Sequence, residues 1–114
     1  MKKFILTDLQ KSYYLGELPT AYLSGITPDF LVETEIKCLN IERLESIIDR
    51  VIASQEMLRA VVMDENHGLV MSQVPRFKVD VVNSGKNNID HFFFKEKARN
   101  FNLKNFPLFS LLTF

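Results

Sequence analysis

The most regular apolar pattern lies mid-chain, where Ile41, Leu44, Ile47, Ile48, Val51 and Ile52 recur at helical spacing. Glu42, Arg43, Glu45, Asp49 and Arg50 fill the other face, and Asn40 stands before the run as an N-cap able to accept an orphan amide. Fully burying one aliphatic side chain contributes roughly 1.5–3 kcal/mol, so this stripe outweighs any single polar contact of the segment and is expected to dock on a sheet. Just upstream the period changes to two. Phe30, Val32, Thr34 and Ile36 alternate with Leu31, Glu33, Glu35 and Lys37, which predicts a strand with one apolar and one largely charged face.

Weaker patterns frame these two. Phe4, Ile5 and Leu6 form a short apolar strand candidate. Thr7 and Gln10 then have the spacing of a capping box, with each side chain reaching the other's backbone amide. Asp8 adds negative charge where the helix dipole favours it. The helix is expected to run through Leu9, Tyr13 and Tyr14 and to end at Gly16, a residue suited to a left-handed C-terminal position. A loop is expected over residues 19–28, between Pro19 and Pro28. Residues 58–63 read as a strand, 64–68 as a turn and 69–74 as its hairpin partner, with Pro75 interrupting. Phe77, Val79 and Val81 alternate again before a polar loop over 83–88. A further helix is expected over 89–101, and an apolar strand over 108–114. No repeat or internal boundary divides the chain. Together these elements predict one α/β domain over residues 1–114, of two-layer α+β type, with helices on a mostly antiparallel sheet.

Composition narrows the function classes. The 114 residues suffice for one modest core, and 46% hydrophobic with 25% charged residues is globular rather than disordered composition. Acids and bases balance at 14 each, so no net field favours nucleic acid or an anionic membrane. Cys38 is the only cysteine, which excludes an intrachain disulfide and a thiolate metal cluster. No apolar run approaches the about 18 residues of a membrane span. Lys2 and Lys3 precede apolar residues, but Thr7, Asp8 and Gln10 interrupt at once, so no signal peptide is read and a cytoplasmic location is expected.

Candidate chemistry is sparse. His67 lies in a turn beside Asp64 and Glu65, where a solvated histidine is the simpler reading than a metal ligand or an acid–base group. His91 follows Asp90 at a helix start, and adjacent helical residues point in different directions, so they form no dyad. Ser12, Ser24 and Ser46 lack a nucleophile-elbow context, and four glycines form no phosphate loop. Cys38, at the end of a predicted strand, reads as a buried inert thiol. Arg59, before the apolar Ala60, Val61 and Val62, has two open readings: a half-buried guanidinium needing a carboxylate, or a surface pair with an acid such as Glu56. The residues predict no catalytic, cofactor-binding or metal site within the chain.

Two stretches together resemble the heterocyclization domains of nonribosomal peptide synthetases, within the condensation-domain superfamily. Residues 4–17, with Leu6, Thr7, Gln10, Tyr13 and Gly16 in place, resemble the opening motif F-P-L-T-x-x-Q-x-A-Y-x-x-G-R. Residues 54–60, with Met57, Leu58, Arg59 and Ala60 in place, resemble the second motif R-H-x-M-L-R-A. The strand and helix predicted between them come in the family's order. Val74, Pro75 and Phe77, then Arg99 and the run Phe106, Pro107, Leu108 and Phe109, match recurring features of the same N-terminal region. The departures are Ile5 for proline, Glu17 for arginine, and Ser54 and Gln55 for arginine–histidine.

The resemblance implies part of a chloramphenicol-acetyltransferase-like fold, whose two lobes form a V around a tunnel for carrier-bound substrates. It implies that the chain stops before the active-site motif, D-x-x-x-x-D in this branch, and that Arg59 lacks the aspartate with which the family's arginine pairs. Arg59 is then expected to be under-paired or turned to solvent. Thr7, Gln10, Tyr13, Gly16, Leu58 and Arg59 are carried over as structural motif residues. The whole domain would form an amide and cyclise cysteine, serine or threonine, using phosphopantetheine-loaded carrier proteins. The fragment itself is expected to be inactive and to need no cofactor. Its expected partners are the remainder of a synthetase or a carrier protein, with neither nucleic acid nor membrane, and open sheet edges could pair copies of the chain. A non-catalytic interaction module and an unrelated small α/β binding protein are the rival readings.

Overall fold

A computed structural model describes residues 1–17, 30–82 and 101–113. In chain order the elements are β1 (Lys2–Ile5), α1 (Asp8–Glu17), α2 (Ile41–Ser54), a 3-10 turn (Glu56–Arg59), β2 (Ala60–Val62), β3 (His67–Val70), β4 (Asp80–Val81) and β5 (Leu112–Thr113). The architecture is mixed α/β. An antiparallel sheet of order β1–β3–β2 is accompanied by a parallel β4–β5 pair.

Register in the three-stranded sheet places Lys2 and Ala60 on either side of Val70, and Phe4 and Val62 on either side of Gly68. The Phe4 ring lies over Gly68 so closely that a Cβ there would overlap it. Glycine is the residue that admits this approach of ring to backbone. Beyond β1, the Leu6 amide donates to the Asn66 carbonyl at 2.9 Å and the Leu6 side chain is buried. On the other side of the sheet, the Val62 amide donates to the Leu103 carbonyl at 2.7 Å, so residues 101–105 partly cover that edge.

Both helix starts follow from local chemistry. The Thr7 amide donates to Gln10 Oε1 at 2.9 Å and the Gln10 amide donates to Thr7 Oγ1 at 3.2 Å, the reciprocal pair that the spacing predicts. At α2 the Arg43 amide donates to Asn40 Oδ1 at 3.1 Å. Ile41, Leu44, Ile48 and Ile52 of α2 pack with Phe77 and Val79, joined by Leu58, Val74, Phe106, Phe109 and Leu111. The Phe77 and Phe109 rings stack at 5.0 Å with 14° between planes. This cluster sits between α2 and the segments leading into β4 and β5, while Leu6, Ala60, Val61 and Val70 are buried at the three-stranded sheet.

Several predicted elements differ. Residues 30–36 form no strand: they are exposed, and no neighbouring strand pairs with them among the described residues. Their pattern specifies a face, but a strand also needs a hydrogen-bonding edge. With that strand absent, Cys38 is exposed rather than buried, in a turn at φ 55° that leads into the Asn40 cap. Leu58 and Arg59 belong to the 3-10 turn, so the predicted 58–63 strand is only Ala60–Val62. Its partner begins at His67 and ends at Val70, because the chain turns at 64–66 and leaves the sheet before Pro75. Phe77 and Val79 lie outside the regular strand Asp80–Val81, and the 108–114 strand shortens to Leu112–Thr113. Helix α1 includes Gly16 and continues to Glu17. The predicted loops over 19–28 and 83–88, and residues 89–100 of the predicted helix with His91, lie outside the described residues; Phe101 is not helical.

Candidate functional site: the Arg59 cleft

The two motifs singled out in the sequence meet at one sheet from opposite sides. Strand β1, leading into Thr7 and Gln10, pairs with one edge of β3, and β2, following Leu58 and Arg59, pairs with the other. An exposed ion pair, Lys2 Nζ to Glu56 Oε2 at 3.3 Å, also joins them. Tyr13 is exposed on α1, and Gly16 lies in its last turn. Thr7 and Gln10 act on the helix start alone, and Leu58 is part of the core cluster. Of the six motif residues, Arg59 lines a cleft.

That cleft, of about 750 Å³, lies between α2 and residues 72–78. Arg59 is half-buried and acts entirely on backbone carbonyls. Its Nη1 donates to the Ile52 carbonyl at 2.6 Å and the Ala53 carbonyl at 2.8 Å, and its Nε donates to the Met71 carbonyl at 3.0 Å. The last four carbonyls of a helix have no partner inside it and carry the negative end of its dipole. Arg59 therefore caps the C-terminal end of α2 from seven residues downstream of Ile52 and ties it to the strand end at Met71. The Met71 amide reciprocates by donating to the Arg59 carbonyl at 3.0 Å. Among the described residues no carboxylate contacts Arg59. Glu56 pairs with Lys2 instead, and the guanidinium faces carbonyls rather than turning out to solvent.

The opposite wall is held by two carboxylates. Asp49 Oδ1 accepts from the Phe77 amide at 2.8 Å, and Glu45 Oε2 accepts from the Val79 amide at 2.9 Å. The alternate amides point the other way, Asp80 N donating to the Leu111 carbonyl at 3.0 Å and Val82 N to the Thr113 carbonyl at 2.8 Å. Amides two residues apart in an extended chain point to one side, so Glu45 and Asp49 stand where a neighbouring strand would supply carbonyls. One turn of α2 thus does a strand's work at this edge. By helical spacing both acids belong to the face opposite the apolar stripe. The available signal was their spacing of four, beside the apolar stripe, together with the alternation of Phe77 and Val79.

Chemically the cleft is a structural junction. Its Glu45 and Asp49 carboxylates and Arg59 are engaged with backbone, and Ser46 on its wall has no histidine among the lining residues. Outside it, Ser12 Oγ donates to the Asp8 carbonyl within α1. Asp64 Oδ1 accepts from the Asn66 and His67 amides, both at 2.8 Å, and lies 3.2 Å from His67 Nδ1. The Asn66 amide, followed by the His67 groups, holds the Asp64 carboxyl below its ordinary value. This is turn closure. Among the described residues no three histidine, cysteine, aspartate or glutamate side chains gather as a metal site, and no helix is long and apolar enough to cross a membrane.

Neither a family model nor a curated protein matches the chain. A search of solved structures does return a match. The cyclization-docking bidomain of the nonribosomal peptide synthetase EpoB from Sorangium cellulosum superposes with a TM-score of 0.68 and 20% identity. The match covers 96% of this chain and 23% of that one, so this chain shares its fold with under a quarter of the solved chain's length.

Proposed function

We propose that the chain is the N-terminal part of a condensation/heterocyclization-type domain of a nonribosomal peptide synthetase, and that it is inactive alone. The observation that carries this reading is the superposition over 96% of the chain on a cyclization-docking bidomain. It is supported by the order of the two resembling motifs and by their placement on either side of β3. Under this reading the described elements are part of one chloramphenicol-acetyltransferase-like lobe. The complete domain would join an acyl group to cysteine, serine or threonine and close the ring, both substrates arriving on phosphopantetheine-loaded carrier proteins in the cytoplasm. Arg59, anchored through Nε and Nη1, would offer its other nitrogen to an aspartate of the complete domain's active-site motif. Incubating the purified chain with carrier-bound acyl donor and carrier-bound cysteine, serine or threonine should give neither amide nor ring. Measurable turnover would refute the reading.

A non-catalytic role as an interaction module is the second reading. It is favoured by apolar side chains left in solvent: Leu9 and Tyr13 on one face of α1 are 62% and 48% exposed. Capture of a downstream synthetase subunit or a carrier protein by the isolated chain, without product formation from the complex, would select it.

A further inference from the structure

We propose that Glu45 and Asp49 are an edge guard: by holding the Phe77 and Val79 amides they keep this edge from pairing with the same edge of a second copy of the chain. Extended backbone presents its hydrogen-bonding groups alternately to its two sides. On one side the Asp80 and Val82 amides serve the β4–β5 pair, donating to the Leu111 and Thr113 carbonyls at 3.0 and 2.8 Å. On the other, the Phe77 and Val79 amides meet carboxylates instead of a strand, Asp49 Oδ1 at 2.8 Å and Glu45 Oε2 at 2.9 Å. The two spacings match. Residues four apart on a helix are separated by about 6 Å along its axis, and residues two apart in a strand by about 6.6 Å. An edge left with free donors and acceptors is a template for another chain, and here α2 occupies it first.

The edge beneath the guard is self-complementary. Two copies paired antiparallel about Lys78 set Phe77 of each opposite Val79 of the other. The amides and carbonyls of both residues then exchange hydrogen bonds across the pair. Arg76 lies opposite Asp80 twice, and opposite charges facing each other favour a ladder. Lys78 against Lys78 is the one repulsive contact. All three charged residues are exposed, and Pro75, which has no amide hydrogen, ends the ladder. The cleft of about 750 Å³ lies along this edge, lined by Glu45, Asp49, Phe77 and Lys78, and gives an incoming strand its place.

The test uses the whole chain, with self-association measured by sedimentation and amide exchange followed at Phe77 and Val79. The variant E45A/D49A strips both amides of their partners. Its self-association should exceed the parent's by about a hundredfold, a factor of about ten for each donor left unsatisfied. Exchange at Phe77 and Val79 should slow as its concentration rises. E45Q/D49N keeps an oxygen acceptor at both positions and should behave as the parent. Lys78→Glu in the E45A/D49A background sets glutamate against lysine when the two chains are mixed, so the mixture should pair more tightly than either alone. Where E45A/D49A loses its native circular dichroism, Glu45→Ala alone, with Phe77 still held by Asp49, carries the test with a rise of about tenfold. A folded E45A/D49A, or in its place a folded Glu45→Ala, that associates no more than the parent overturns the guard. So does association of E45Q/D49N equal to that of E45A/D49A. Association that leaves exchange at Phe77 and Val79 unchanged with concentration, or a mixture no tighter than its parts, overturns the self-pairing about Lys78.

Discussion

Helix α2 and residues 30–36 adjoin in the chain and both carry a regular apolar face, but that of α2 is covered at Ile41, Leu44, Ile48 and Ile52, with Ile47 and Val51 left exposed, while that of 30–36 is bare throughout. The α2 stripe finds Phe77, Val79 and Phe109, and its flanking acids find the Phe77 and Val79 amides. Its last carbonyls find Arg59. The alternating face of 30–36 finds nothing among the described residues and stays in solvent. The difference lies in the backbone. A helix satisfies its own hydrogen bonds and needs only a surface to cover its stripe, whereas a strand needs both a surface and an edge. Covering one apolar face can hold a helix in place; it cannot by itself make a strand.

The sharpest test of that contrast is a pair of truncations. Ile52 is 2% exposed at the centre of the core, and Ile52→Ala should lower unfolding free energy by about 3–4 kcal/mol through lost burial and a residual cavity. Ile36 is 59% exposed, and Ile36→Ala in the isolated chain should stay within about 0.5 kcal/mol of the parent. Urea titration followed by far-ultraviolet dichroism measures both. Comparable losses in the two variants would mean that 30–36 is already packed, and the comparison would fail.

The same contrast explains what the sequence made legible. The α1 capping box and the Asn40 cap are readable because each uses side chains three residues apart, within one turn. The α2 stripe is readable because six positions repeat at one period. The partners of α2 are not, since Phe77 and Val79 lie 28 and 34 residues from the acids that hold them. Arg59 is legible as a residue in need of acceptors, but not as a helix cap. Residue type calls for an anion there, while the fold offers a ring of carbonyls. Cys38 was misplaced because its predicted burial depended on a strand that does not form.

Arg59 provides the intermediate effect. Removing its side chain strips the α2 terminus of two acceptor contacts and cuts the tie to Met71. Hydrogen bonds to a charged group contribute about 1.5–3 kcal/mol each and are not additive, so Arg59→Ala should cost about 2–3 kcal/mol. Arg59→Lys retains the charge but cannot span three carbonyls with one fork, and should recover about half of that loss. Amide exchange should show the last turn of α2 opening in Arg59→Ala, with the Phe4–Gly68 region of the sheet less affected. Unchanged stability in Arg59→Ala would show that the carbonyls are equally served by water, removing the cap from the account of why α2 is held.

The smallest expected effect lies in the β2–β3 turn, away from both regions, and depends on pH. Asp64 has its carboxyl lowered from 3.8, first by the Asn66 amide and then by the His67 groups. A carboxyl depressed in the folded state favours folding where it is ionised. Its contribution is therefore fully present above the unfolded value near 3.8 and fades as pH falls through the lower folded value. Asp64 is exposed, so salt should weaken the effect further. Asp64→Asn keeps an oxygen able to accept from the Asn66 and His67 amides but cannot titrate. Thermal midpoints of parent and variant should thus converge slightly between pH 5 and about pH 3, with the parent losing more. Parallel acid slopes would show that the turn is held by geometry alone, and that the ionised carboxylate adds nothing to it.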